Sequence, residues 1–217
     1  MPTAAQIRHF MTAPEQFMRT HSVKWRGTSP QNQEVITVAL VDAAGVARSR
    51  PHGTVLGINT PKSTGSAFDL RWNGNTMAPL QPGTTTFDVQ WSGYRAGQGR
   101  DAVLPRTGGP DIMLTPEFTG CTAVCRTNAD GSAQFSHYNL MSGSSTLPDD
   151  DMRAIAEAAY GGGQTTLTKG DVRAYGKHSG DVRATVVGIR RNGRWEFWAQ
   201  LREQKAGNEQ IRGVVRL

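Results

Sequence analysis

The chain has 217 residues, with 24 basic against 18 acidic side chains for a formal charge of +6, and it carries 25 glycines and 11 prolines. With 37% apolar and only 19% charged residues, it is neither a coiled coil nor an acidic disordered segment. Its longest aliphatic run, Val35–Val41, is far short of the ~20 residues a membrane-spanning helix needs, so no membrane insertion is expected. Length favours a single domain over residues 1–217.

Residues 3–19 read as one or two short helices, because Ile7, Phe10 and Met11 share a face and Pro14 opens a second turn carrying Phe17 and Met18. The pattern then turns to strands. Val35–Val41 is a β-branched run with a turn at Asp42–Gly45. Shorter candidates follow at Thr54–Ile58, Ala67–Trp72 and Thr84–Trp91. Gly93–Pro110 reads as a long surface loop, with Trp91 and Tyr94 at its border as candidates to line a cleft. Later, Asp149, Asp150 and Asp151 supply acidic capping residues for a helix over Met152–Tyr160, which Gly161-Gly162-Gly163 ends. Val182–Ile189 and Trp195–Leu201 flank an Asn192-Gly193 turn as a hairpin, and Ile211–Arg216 is a last strand. The sum predicts an α+β fold, a β-sandwich of mixed sheets flanked by a few short helices.

The first ten residues lack a basic stretch followed by an apolar block, so no secretory signal is readable. Cys121 and Cys125 sit four apart, ~13 Å in a strand, against ~4.4–6.8 Å for a disulfide. They read as free thiols. His9, His21, His52 and His178 have no ligand spacing, so no metal is expected. From Lys169 to Leu217 eleven residues are basic and five acidic. They are dispersed (Arg173, Lys177, Arg183, Arg190, Arg191, Arg194), without a basic run or a zinc-finger or RNA-binding signature, so a solvated face is favoured over nucleic acid.

The most informative stretch is Phe118–Leu140. Two strand-like flanks enclose Thr127-Asn128-Ala129-Asp130-Gly131, a turn composition. A turn centred on Ala129 places Cys121 directly opposite His137, with Cβ atoms ~4.5–5.5 Å apart, and Cys125 opposite Ala133 as core. An imidazolium at that range lowers a thiol pKa. Gly120 leaves room for a substrate carbonyl beside the sulfur, and the Cys121 amide is a candidate oxyanion donor. The alternative reading makes Cys121 a small core hydrophobe and His137 an ordinary histidine.

These residues resemble a known family. Phe118-Thr119-Gly120-Cys121-Thr122, followed by Phe135-Ser136-His137, is similar to the glutamine-deamidase toxins with a Leu-Ser-Gly-Cys motif and a histidine on the next strand. That group includes the Burkholderia lethal factor and the catalytic domain of cytotoxic necrotizing factor. Leu80-Gln81-Pro82-Gly83, the helical start and the late hairpin also look alike, and Gly120, Cys121 and His137 are the specific matches. Thr115 matches the position whose backbone carbonyl orients the histidine. The departures are Phe118-Thr119 in place of Leu-Ser and a longer segment between Cys121 and His137.

The resemblance implies a bacterial toxin or effector that converts a glutamine side chain of a target protein to glutamate through Cys121 and His137, without cofactor or metal. It implies a target such as a host GTPase or a translation-initiation helicase. It also implies synthesis in a bacterial cytoplasm and delivery into another cell by a route that reads no signal peptide. Two further readings stay open at this stage: a Cys-His protease or acyltransferase, and a non-catalytic module docking through its basic C-terminal third.

Overall fold

Thr3 opens the first helix with a reciprocal cap. Its hydroxyl accepts the Gln6 amide at 3.2 Å while the Gln6 side chain accepts the Thr3 amide at 2.8 Å. Helix α1 (Ala4–Thr12) gives way to α2 (Pro14–Thr20), which has proline in its first turn. The computed structural model describes residues 1–26, 29–30, 34–43, 67–74, 80–93, 99–142, 145–174, 181–205 and 208–217. The Thr54–Ile58 strand candidate, Tyr94, His52, Lys177 and His178 lie outside them.

In chain order the remaining elements are β1 (Ser22–Trp25), β2 (Glu34–Asp42), β3 (Ala67–Trp72), β4 (Phe87–Trp91), β5 (Gly99–Leu104), β6 (Ile112–Leu114), β7 (Thr122–Thr127), β8 (Ala133–Tyr138), β9 (Met141–Ser142), β10 (Ser145–Thr146), α3 (Asp149–Tyr160), β11 (Thr165–Leu167), α4 (Lys169–Ala174), β12 (Asp181–Arg191), β13 (Arg194–Lys205) and β14 (Asn208–Arg216). They form an α+β sandwich. An eight-stranded sheet, ordered β1-β3-β2-β4-β6-β12-β13-β14, is mixed, with parallel pairs at β1/β3 and β4/β6. A four-stranded sheet, β11-β7-β8-β5, is antiparallel throughout.

Strand alternation sorts the side chains into layers. On one face of the large sheet, Val38, Leu40, Phe68, Leu70, Val89, Ile112, Leu114 and Val187 pack with Phe10, Phe17 and Met18 of the two helices. Each of those fully buried aromatic rings contributes ~1.5–3 kcal/mol. β1 crosses that face: the Thr185 hydroxyl donates to the Val23 carbonyl, and the Gln200 side chain accepts the Val23 amide, both at 2.9 Å. On the other face Met113, Ala184, Val186, Trp195, Phe197 and Leu201 meet Ala102, Leu104, Ala123, Cys125, Ala133 and Phe135 of the small sheet. The outer face of the small sheet packs Val124 and Tyr138 under Met152, Ala156 and Tyr160 of α3.

Several expectations need correction. Gly93–Pro110 is not one loop, since Gly99–Leu104 forms β5 against β8. Asp149–Asp151 lie in the first turn of α3 but make no side-chain cap; Asp149 instead accepts the Gly170 amide at 2.7 Å and ties α3 to α4. Trp91 is fully buried, donates to the Pro30 carbonyl and packs on Trp25, so it is core rather than cleft lining. The β7–β8 turn also sits further along. Asn128 N–H donates to the Ser132 carbonyl at 2.8 Å and Gly131 N–H to the Asn128 carbonyl at 3.0 Å, with Gly131 at φ 91°. That three-residue loop pairs Ala123, not Cys121, with His137, and Phe135, not Ala133, with Cys125.

Candidate active site

The site is built where the chain crosses from the large sheet to the small one. β6 ends at Leu114, and the seven residues Thr115–Cys121 carry the chain to β7. Midway, Phe118 pairs with Ala184 of β12 through two backbone hydrogen bonds, N–H to carbonyl at 2.9 and 3.0 Å. This pins the crossover to the large sheet.

His137 projects from β8 toward the space between the sheets, on the same face as Ala133 and Phe135, and is 0% exposed. Its Nδ1 lies 2.9 Å from the Thr115 hydroxyl. The Phe118 ring lies over the imidazole, centroids 3.9 Å apart and planes within 14°. Cys121 stands two residues before Ala123, the direct partner of His137. It lies one residue outside the ladder, which opens at the Thr122–Tyr138 pair. The register is displaced by an even number of residues, so Ala123 and Cys125 of β7 keep the face of His137. Cys121 is half-buried, a free thiol, and packs against the same inter-sheet cluster as Cys125.

Burial sets the charge state. The Cys121 thiol is pushed up to about 11 by desolvation, opposed by a hydrogen bond from the Gly120 backbone, and His137 is pushed down to about 3 by desolvation. Near neutrality the two groups rest as a neutral thiol and a neutral imidazole. This corrects the expectation of a thiol lowered by an imidazolium, because a low-dielectric setting disfavours both charged forms. Cys125 is core, 3% exposed and pushed up to about 12.

Each sequence candidate has a place. Thr115 meets His137, through its hydroxyl where the resemblance implied its carbonyl, and Gly120 and Cys121 end the same crossover just before β7. Leu80, Gln81 and Gly83 instead line a cleft of about 340 Å³ with Ile7, Leu40 and Arg71. They precede β4, whose far end is joined to Leu114, so they stand away from the thiol. The role of Phe118 escaped the sequence reading, which noted it only as a departure from the Leu-Ser-Gly-Cys motif; nothing in the linear pattern aims its ring at His137.

Six described arginines of the basic C-terminal third have acidic partners within the fold. Arg183 and Arg202 engage Glu117, Arg190 engages Asp111, and Arg191 engages Glu15 and Glu196. Arg212 engages Glu203 and Arg216 engages Glu196. Among the described residues no three His, Cys, Asp or Glu side chains group to hold a metal ion, and no helix is long and apolar enough to cross a membrane. Compared with known proteins, the chain matches no family model and no curated protein.

Proposed function

We propose that the protein is a glutamine deamidase of the toxin or effector kind, acting on a side-chain carboxamide of a target protein. The observation that carries this reading is that Cys121 immediately precedes β7, whose Ala123 pairs with His137, and packs on the inter-sheet cluster that includes Phe118, while the imidazole meets the Thr115 hydroxyl through Nδ1. The likeness of Phe118–Thr122 to the Leu-Ser-Gly-Cys motif supports the same reaction.

From a neutral resting pair, His137 acts as general base. The Cys121 sulfur forms a bond to the carboxamide carbon while its proton passes to the imidazole. The tetrahedral oxyanion takes a hydrogen bond from a backbone amide, for which Cys121 N–H is the candidate. The carbon–nitrogen bond then breaks, with the nitrogen taking the imidazole proton and leaving as ammonia. Water, deprotonated by His137, attacks the thioester carbon, and the thiol leaves reprotonated. The balance is one carboxamide and one water to one carboxylic acid and one ammonia. No step calls on a metal or an organic cofactor.

The target gains a negative charge and loses an amide donor, which inactivates a glutamine that switches or catalyses. A host GTPase or a translation-initiation helicase is the partner class proposed, reached after delivery from a bacterial cytoplasm. The test is peptide mass spectrometry of target-cell lysate treated with the protein or with Cys121→Ser. The expected result is a glutamine gaining about 1 Da with the wild type alone. Cleaved chains would place the protein with the proteases, and an unchanged proteome would count against the reading.

A further inference from the structure

A hydrogen bond at one ring nitrogen does not by itself fix an imidazole. The torsion about the ring bond of histidine is broad, so a ring held only at Nδ1 can tilt away from a neighbouring sulfur. In this protein a second contact closes that freedom. The Phe118 ring lies nearly parallel to the imidazole, 3.9 Å from it and 14° off its plane. Phe118 is itself 3% exposed, packed in the inter-sheet core, and bonded through both its N–H and its carbonyl to Ala184 of β12.

We propose that Phe118 is a positioning residue: stacked on His137 and anchored to the large sheet, it fixes the imidazole plane while Thr115 fixes the rotation within that plane. This deepens the deamidase reading and rests on it for its catalytic meaning. The seven-residue crossover then carries three parts of the site, namely the hydrogen bond at Thr115, the stack at Phe118 and the nucleophile at Cys121. An aliphatic chain at position 118 would fill the volume without defining a plane. The aromatic face has a second use, since a proton arriving on His137 during attack creates a cation directly over a π surface, which stabilises it.

The test needs no glutamine substrate. In nitrogen-15 labelled protein the His137 ring shifts report its tautomer, and peptide-mapped alkylation by iodoacetamide at pH 7 reports the reactivity of Cys121 separately from Cys125. The expected result for Phe118→Leu, folded by circular dichroism, is a mixed tautomer and alkylation slowed about tenfold, the scale on which lost alignment acts. Phe118→Tyr, which keeps the ring, holds both readouts within about twofold of the wild type. Phe118→Met repeats the ring-less test should the leucine variant not fold. A ring-less variant with wild-type tautomer and wild-type alkylation would overturn the proposal. Failure of the wild type to deamidate any target would overturn the reaction instead, and leave these two readouts to judge the geometry.

Discussion

At 0% exposure the His137 imidazole is closed off from bulk solvent, and its pKa falls to about 3 against 6.5 in the unfolded chain. Between those values the unfolded state binds a proton that the folded state refuses. The contribution to stability is therefore complete above pH 6.5 and is lost as pH falls toward 3. The slope is about 1.4 kcal/mol per pH unit, reaching on the order of 5 kcal/mol across the window. Urea midpoints of wild type and His137→Gln at pH 7.5, 5.5 and 4.5 check this. The wild type should lose stability more steeply than the variant below pH 6, and parallel losses would show that His137 is not held neutral. The same burial explains why residue chemistry alone misled about Cys121. Thiol and imidazole were legible as types, but the depth that raises one and lowers the other comes from Phe118 and from β12, some sixty residues further along the chain.

At the scale of elements, two hairpin tips meet. The β12–β13 turn at Asn192-Gly193 has φ of 52° and 70°, the two positive values that such a turn demands. Its Gly193 carbonyl crowds the position a Cβ would take at Gly131, in the β7–β8 loop. Gly131→Ala therefore combines a left-handed backbone with a clash against another hairpin, a loss of about 1–3 kcal/mol. Gly83, at φ 78° with open space where a methyl would be added, serves as control, because alanine there meets only the backbone penalty, about 1 kcal/mol. Thermal melts should rank Gly131→Ala clearly below Gly83→Ala; equal losses would mean the tips do not press together. Arg190 braces the same end, donating to the carbonyls of Pro105, Gly108 and Gly109 and lying over Trp195.

Elements with strong periodicity were legible: the helices of residues 3–19, the β-branched run in β2, and the Asn-Gly hairpin. β5 and β6 were not. β6 has three residues, and β5 begins with Gly99-Arg100-Asp101, which has no apolar alternation to announce it; both become strands because neighbouring ladders complete them. The β7–β8 register was missed by one turn residue. Composition shows that Asn128–Gly131 turns, but the side chain of Asp130, which accepts from both the amide and the hydroxyl of Ser132, decides where.

Across the whole molecule, helices cover one face of the large sheet, the small sheet covers the other, and α3 covers the small sheet in turn. The crossover from β6 to β7 is where the chain passes between sheets, so Thr115, Phe118 and Cys121 sit at the seam of the sandwich. A seam held from both sheets suits the general-base role proposed for His137. Among the described residues, arginines such as Arg183, Arg190 and Arg202 brace this framework through acidic partners, and the proposed reaction makes the thiol the feature to test. Acid-quenched reactions with a target that still carries its substrate glutamine, followed by mass mapping of the Cys121 peptide, test it most directly. The account predicts a target-derived acyl adduct on Cys121 that hydroxylamine removes, and no adduct in Cys121→Ser. Undiminished glutamate formation by Cys121→Ser, with no adduct on the wild type, would contradict it.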